Sequence, residues 1–364
     1  MIRVPAAAAR NINSAADVST DKDEIKKQKQ KKNGYFYQDG NAHFYLGETT
    51  MILSVSRRTD VPRYYPEWFI KRLKEGYVDV KNPVNPHQIS RISLNRDVVD
   101  CIVFWTKDPE PMMKYLKDLR DYPYYVQFTI TGYGKDIEPA LADKETRVIP
   151  LFRELAAETD AKGVIWRYDP IFFTPVYTPD FHLKCFEDMA RQLRGSTRKV
   201  VISLLDDYRK IKHRMSRINL LPAGMINLES FLKNMKEIAL ENEMELTACA
   251  EQELEEKYGI ASASCIDKSL VEQITGMVID VPKDRNQRPG CGCRQTIDVG
   301  SYDTCPAGCL YCYASGDARH IKENCGEYDK NASLLCGRLG AEDKITERKV
   351  KSFCCGQMNL WGLK

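Results

Sequence analysis

The stretch Cys305-Pro306-Ala307-Gly308-Cys309-Leu310-Tyr311-Cys312-Tyr313 sets three cysteines at C-x3-C-x2-C, with an aromatic residue just before the last. Three thiolates can hold three irons of a [4Fe–4S] cube and leave the fourth iron without a protein ligand. A position left open in that way marks a reactive metal centre rather than a closed structural one. A structural zinc knuckle is the alternative. It needs a fourth Cys or His nearby, and His320 is the first residue downstream that qualifies.

A second cysteine set lies upstream: Cys249, Cys265 and the pair Cys291-Gly292-Cys293. Glycine permits the tight backbone that lets both sulfurs of such a pair ligate. Four thiolates suit a closed [4Fe–4S] cluster or a structural zinc ion, with unligated thiols as the third option. The neighbouring triad already implies iron–sulfur loading, so an auxiliary cluster is the expectation. Cys101 and Cys185 sit in strand and helix patterns and read as small buried apolar residues. Cys325, Cys336, Cys354 and Cys355 show no ligand spacing, and the five histidines form no paired metal motif.

Short apolar runs alternate with helical patterns from Ile52 onward. The expected strands are Ile52–Ser56, Cys101–Trp105, Tyr125–Thr131, Val164–Tyr168, Val200–Leu205 and Glu245–Ala250. Several are continuously apolar and β-branched, as strands buried on both faces should be. Between them, Pro66 opens a helix with Trp68, Phe69 and Leu73 on one face. Thr178 and Pro179 open another, with Phe181, Cys185, Met189 and Leu193 four apart. Phe231, Met235 and Ile238 mark a third. This alternation predicts a parallel sheet, as a full or partial TIM-like barrel.

The strand ends carry polar residues. The first runs into Arg57 and Asp60, the second into Lys107, the fourth carries Arg167 and ends on Asp169, and the sixth ends on Cys249 and Glu251. Each alone reads as a turn or cap residue. Together, at the carboxyl ends of parallel strands, they predict a lined pocket. Arg57, Lys107 and Arg167 would make its wall cationic, suited to carboxylate or phosphate, with Asp169 beside them as a further contact.

The chain's 364 residues and 43% apolar content allow one large α/β barrel or two ordinary domains. A net charge of +3 supplies no field that argues for nucleic acid or membrane. No apolar run approaches the ~20 residues of a membrane helix. Thirteen cysteines without a secretory pattern point to a reducing cytoplasm and metal ligation. Residues 1–50 read as a solvated extension, 51–250 as the barrel core, 251–320 as a cysteine-rich iron–sulfur region completing it, and 321–364 as a tail. Lys283 to Pro289 reads as a charged linker, Gly259 to Asp267 as turn-like, and Thr296–Gly300 as one more short strand feeding into Cys305.

The nonamer at Cys305 resembles the cluster loop of radical S-adenosylmethionine enzymes. That resemblance implies that the free iron is chelated by the amino and carboxylate groups of the methionine moiety. The reduced cluster then releases a 5′-deoxyadenosyl radical, with electrons from a donor such as flavodoxin or ferredoxin. It implies roles for Tyr311 beside the cluster and for Thr131, Gly132 and Gly134 as the glycine-containing strand end that binds S-adenosylmethionine. In that family the loop commonly follows the first strand, whereas here it comes near the end. A circular permutation, with Thr296–Gly300 pairing beside Ile52–Ser56, would reconcile the two.

Met51 to Ala314, about three quarters of the chain, also resembles an uncharacterised bacterial family, a domain of unknown function with a C-terminal cysteine cluster. The matching pieces are Ser54-Val55-Ser56-Arg57-Arg58-Thr59-Asp60, Phe104-Trp105-Thr106-Lys107, Thr131-Gly132-Tyr133-Gly134, Trp166-Arg167-Tyr168-Asp169-Pro170, and Cys291-Gly292-Cys293 through Tyr313. Members are described as similar to spore photoproduct lyase, a radical enzyme of DNA repair. No basic stripe with interleaved aromatics accompanies that likeness here. The expectations are therefore a radical S-adenosylmethionine enzyme of unknown substrate, a non-catalytic zinc or iron–sulfur protein, or a nucleic-acid repair or modification enzyme.

Overall fold

The computed structural model describes residues 35–38, 41–44, 51–206, 210–288, 290–348 and 354–358. Two compact units are distinguished, Met1–Tyr45 and Leu46–Lys364. In the first, Tyr35–Gln38 pairs antiparallel with Asn41–Phe44; the rest of the expected extension lies outside the described residues.

The second unit is built on an eight-stranded sheet in which every pairing is parallel. Its strands are β1 (Met51–Val55), β2 (Val99–Thr106), β3 (Tyr124–Thr129), β4 (Val164–Ile171), β5 (Lys199–Leu204), β6 (Glu245–Cys249), β7 (Ala261–Ala263) and β8 (Ile297–Asp298). The order across the sheet is β8-β1-β2-β3-β4-β5-β6-β7. The last strand in sequence therefore lies beside the first, with Ile297 opposite Leu53 and Asp298 opposite Ser54. The turn-like stretch expected over 259–267 contains β7 instead. Pairing with Thr247 to Cys249 supplies the hydrogen bonds that local propensity does not. The sequence division at residue 250 thus falls inside one continuous sheet.

Successive side chains on a strand point to opposite faces, and two cores result. Leu53, Phe104, Phe128, Trp166 and Ile202 join the helices in one core. Ile52, Cys101, Val103, Tyr125, Ile165 and Val201 form a second, shared with Cys249, Cys265, Cys291 and Cys293. The four longest helices among the described residues are α1 (Pro66–Glu75), α2 (Ile149–Thr159), α3 (Pro179–Leu193) and α4 (Leu228–Glu241). Thr178 caps α3 by accepting from the Phe181 N–H, and Asn227 caps α4 through Ser230 N–H. The buried stripe of α3 is His182, Phe186, Met189, Ala190 and Leu193, while Phe181 and Cys185 are only partly buried. Four-residue steps drift about 40° each around a helix, so a strict spacing of four cannot stay on one face. Cys101 is fully buried, as its strand pattern implies.

The segment beyond residue 320 packs on this unit. The Trp68 indole donates to Ala332 C=O at 2.9 Å, Leu334 and Leu335 are buried, and Lys344–Glu347 pairs with Gln88–Arg91. Phe104 meets Phe69 edge-on at 5.6 Å and Tyr124 at 5.7 Å. Phe104→Ala should cost about 3–5 kcal/mol, read as a lowered denaturation midpoint.

Candidate functional site

Strand periodicity also decides what faces the mouth of the second core. Trp105 shares a face with Val103, Arg167 and Asp169 with Ile165, Ser203 with Val201, and Cys249 with Thr247. The apolar lower rows thus give way to polar residues towards the carboxyl ends. They line a cavity of about 450 Å³ together with Arg57 and Lys107. All seven cysteines of the two sets line that same cavity, as does Tyr311.

The triad loop is held to the sheet by two carboxylates. Asp298, at the end of β8, accepts from Ser54 Oγ at 2.8 Å, Ser56 Oγ at 2.7 Å, Arg57 N–H at 2.9 Å and Gly300 N–H at 3.0 Å. Gly300 permits this approach, since a Cβ there would fall 1.9 Å from Ser56 Oγ. Asp298→Ala should cost about 3 kcal/mol and loosen β8, because four donors lose their acceptor. Limited proteolysis with new cleavage near residue 298 is the check.

The second carboxylate is Glu138, 1% exposed. It accepts from Lys107 Nζ at 2.7 Å, Lys144 Nζ at 2.8 Å and Thr131 Oγ1 at 3.0 Å, and from the Tyr311 hydroxyl. Lys107 Nζ also reaches Tyr311 at 2.7 Å. Burial pushes the Glu138 carboxyl up, but the two ammonium groups and their hydrogen bonds outweigh it and hold the group at about 2. Glu138 lies outside the motifs singled out from the sequence; a buried acid seven residues beyond Thr131 carries no local signature. Leu310 N–H donates to Ile137 C=O at 3.1 Å, completing the attachment. Burial pushes the Cys309 thiol up to about 12, with Lys107 pulling the other way.

Thr131, Gly132 and Gly134 do not line the cavity. They stand behind the loop. Thr131 binds Glu138, Gly134 N–H donates to the Tyr177 hydroxyl at 3.0 Å, and the Tyr133 ring lies 5.9 Å from that of Tyr311. These residues are thus tied to the cluster loop through Glu138 and Tyr133.

The second cysteine set lines the same cavity as the triad. Cys249 Sγ and Cys265 Sγ are 3.5 Å apart. Arg167 Nη1 donates to Cys265 Sγ at 2.9 Å, while its other nitrogens bind Asp169. The Cys265 carbonyl is held by the Tyr125 hydroxyl at 2.8 Å and Gln127 Nε2 at 2.9 Å. Cys293 N–H donates to Cys291 Sγ at 3.5 Å, and Ile266 N–H to Cys293 Sγ at 3.5 Å. Gly292 passes so near Ser264 that a Cβ would lie 2.5 Å from its hydroxyl. The expected linker is part of the wall: Asn286, Gln287 and Arg288 line the cavity, and Arg288 pairs with Asp206.

Arg57 lines the same cavity as both sets. Its guanidinium lies 5.2 Å from the Trp105 ring centre, and its buried Nη2 has no hydrogen-bond partner. An unpaired buried donor is costly unless something anionic meets it. Among the described residues no three His, Cys, Asp or Glu side chains are gathered to hold a single metal ion. A cubane spreads its thiolates over several irons, so its ligands stand farther apart than the ~3.8 Å of thiolates sharing one tetrahedral zinc. The triad donors, of which Cys309 is buried and Cys305 and Cys312 are half-buried, share a cavity with a spare guanidinium donor, and such a donor set fits an open cluster.

Residues 52–314 match a family described as "Domain of unknown function (DUF1848)". No curated protein and no solved structure matches the chain. Among the described residues no helix is long and apolar enough to cross a membrane.

Proposed function

The chain belongs to this family, the domain of unknown function DUF1848, and from that premise we propose that it is a radical S-adenosylmethionine enzyme. The observation that carries the reading is the meeting of Cys305, Cys309 and Cys312 with Arg57, Lys107, Arg167 and Asp169 around one cavity at the carboxyl ends of a parallel sheet.

Cys305, Cys309 and Cys312 would hold a [4Fe–4S] cluster with one open iron. When bound, this group supplies the electron that cleaves S-adenosylmethionine to a 5′-deoxyadenosyl radical. The protein's own work is positional. Glu138 and Asp298 fix the loop. Tyr311 is held by Lys107 and Glu138, so its ring forms a fixed wall beside Cys309. Arg57 offers its spare donor to a carboxylate or phosphate. The sheet is read as a circularly permuted partial barrel, with β8 in the place of the first strand.

Cys249, Cys265, Cys291 and Cys293 are assigned an auxiliary [4Fe–4S] cluster. Cys249 and Cys265 stand 3.5 Å apart, the spacing of two thiolates on one zinc, so a single zinc ion is the second reading for this set, one that requires Cys291 or Cys293 to move in as the third ligand. Flavodoxin or ferredoxin would supply electrons, in the cytoplasm.

Anaerobic reconstitution with iron and sulfide tests the assignment. About eight irons per chain are expected with two clusters, or about four plus one zinc with the second reading, together with release of 5′-deoxyadenosine from S-adenosylmethionine under dithionite. Zinc alone with no nucleoside would establish a non-catalytic metal protein instead. Salt-sensitive DNA or RNA binding would move the substrate to nucleic acid.

A further inference from the structure

Two further thiols meet at one hydroxyl behind the triad. The Tyr65 hydroxyl donates to Thr304 C=O at 2.5 Å and stands 3.3 Å from Cys325 Sγ. Cys325 Sγ donates to the same carbonyl at 3.4 Å. Cys336 approaches the same hydroxyl from another segment. The backbones that carry the two cysteines are joined, because Gly337 N–H donates to Glu327 C=O at 3.2 Å. Both cysteines are partly exposed, and neither they nor Tyr65 line the cavity.

We propose that Cys325 and Cys336 are a redox-modifiable pair that closes to a disulfide and thereby loosens the cluster loop. Closing the bond needs side-chain rotation to bring the two sulfurs to about 2 Å, and a backbone shift that sets the two Cβ atoms at the ~4 Å of a disulfide. The glycine after each cysteine eases the backbone adjustment. The oxidant is a low-molecular-weight disulfide. One protein thiolate attacks it, forming a mixed disulfide and expelling a thiolate. The second protein thiolate then attacks the protein-side sulfur, forming the Cys325–Cys336 bond and expelling the other thiolate. The protein loses two electrons and two protons, and the small disulfide becomes two thiols. Cys325 then has no S–H to give to Thr304 C=O. Thr304 directly precedes Cys305, so the loss falls on the anchor of the first triad thiol. The disulfide is independent of the metal assignment; its effect on iron rests on the reading of Cys305 as a ligand.

The test treats the iron-loaded, reduced full chain with oxidised glutathione under anaerobiosis, blocks residual thiols and maps peptides by mass spectrometry. A linked Cys325–Cys336 peptide pair is expected, and Cys336→Ser should instead carry glutathione on Cys325. Amide exchange over residues 304–309 should quicken by roughly tenfold on oxidation, the signature of one lost hydrogen bond. Cys336→Ser, which cannot form the intramolecular bond, should show no such quickening. Recovery of both cysteines as free thiols while Cys185 is modified overturns the pair. A linked pair with unchanged exchange overturns the coupling to the loop. Iron loss is a separate readout: faster exchange without iron loss would count against Cys305 as a ligand, and leave the disulfide standing.

Discussion

Replacing Cys309 by Ala is expected to abolish release of 5′-deoxyadenosine and to lower iron by about four per chain. Cys309 is the buried thiol of the triad, 7% exposed. Its loop is tied at Leu310 to Ile137 and at Tyr311 to Glu138 and Lys107. Removing it leaves two loop thiols, too few to hold a cube against dissociation. The fold should survive, because one small buried side chain costs about 1–2 kcal/mol. Cys185→Ala is the control: that partly buried thiol on α3 does not line the cavity, and both iron and nucleoside should stay at the unmodified level. Undiminished nucleoside release from the Cys309 variant would end the mechanistic reading.

The second large effect is on stability. Glu138→Gln should destabilise the protein by about 3–5 kcal/mol, because Lys107 and Lys144 would be left buried without their countercharge. The glutamine amide has one oxygen where the carboxylate has two, so it cannot accept from Lys107, Tyr311, Lys144 and Thr131 together, and the loop's attachment at Tyr311 weakens. Denaturant midpoints measure the loss, and iron retention should fall with them. The same carboxylate makes stability depend on pH. Its folded value, about 2, is depressed from an ordinary 4.5. Such a group contributes its stability above the ordinary value, and that contribution is lost as pH falls from about 4.5 towards 2. The difference corresponds to about 3 kcal/mol. In Glu138→Gln this part of the acid limb should flatten. An unchanged acid limb would remove Glu138 from its role as the loop's anchor.

Much of the sheet was legible because its cause is local. Continuous β-branched runs such as Val164–Ile165 and Val200–Ile202 can only be buried on both faces. Caps such as Thr178 mark helix starts by their own chemistry. The polar residues at strand ends followed from the same runs. Reading them with period two singles out Trp105, Arg167, Asp169, Ser203 and Cys249 as inward-facing, a signal available before any coordinates. By contrast β7 has only three residues, Ala261–Ala263, and exists because β6 offers it partners.

The amino-acid sequence by itself determined most of the strands and a loop of three thiols at the spacing of a cluster site, since each rests on neighbours a few residues apart, and the alternation of those strands with helices implied a parallel sheet. The tertiary structure alone decided that four distant thiols share the triad's cavity, that Thr131 to Gly134 supports the loop, and that Glu138 and Asp298 anchor it. Those facts rest on hydrogen bonds between residues 173 and 244 positions apart, Tyr311 to Glu138 and Ser54 to Asp298. Pairings at such separation are chosen by the packing of the whole sheet, and no local pattern of residue types encodes them.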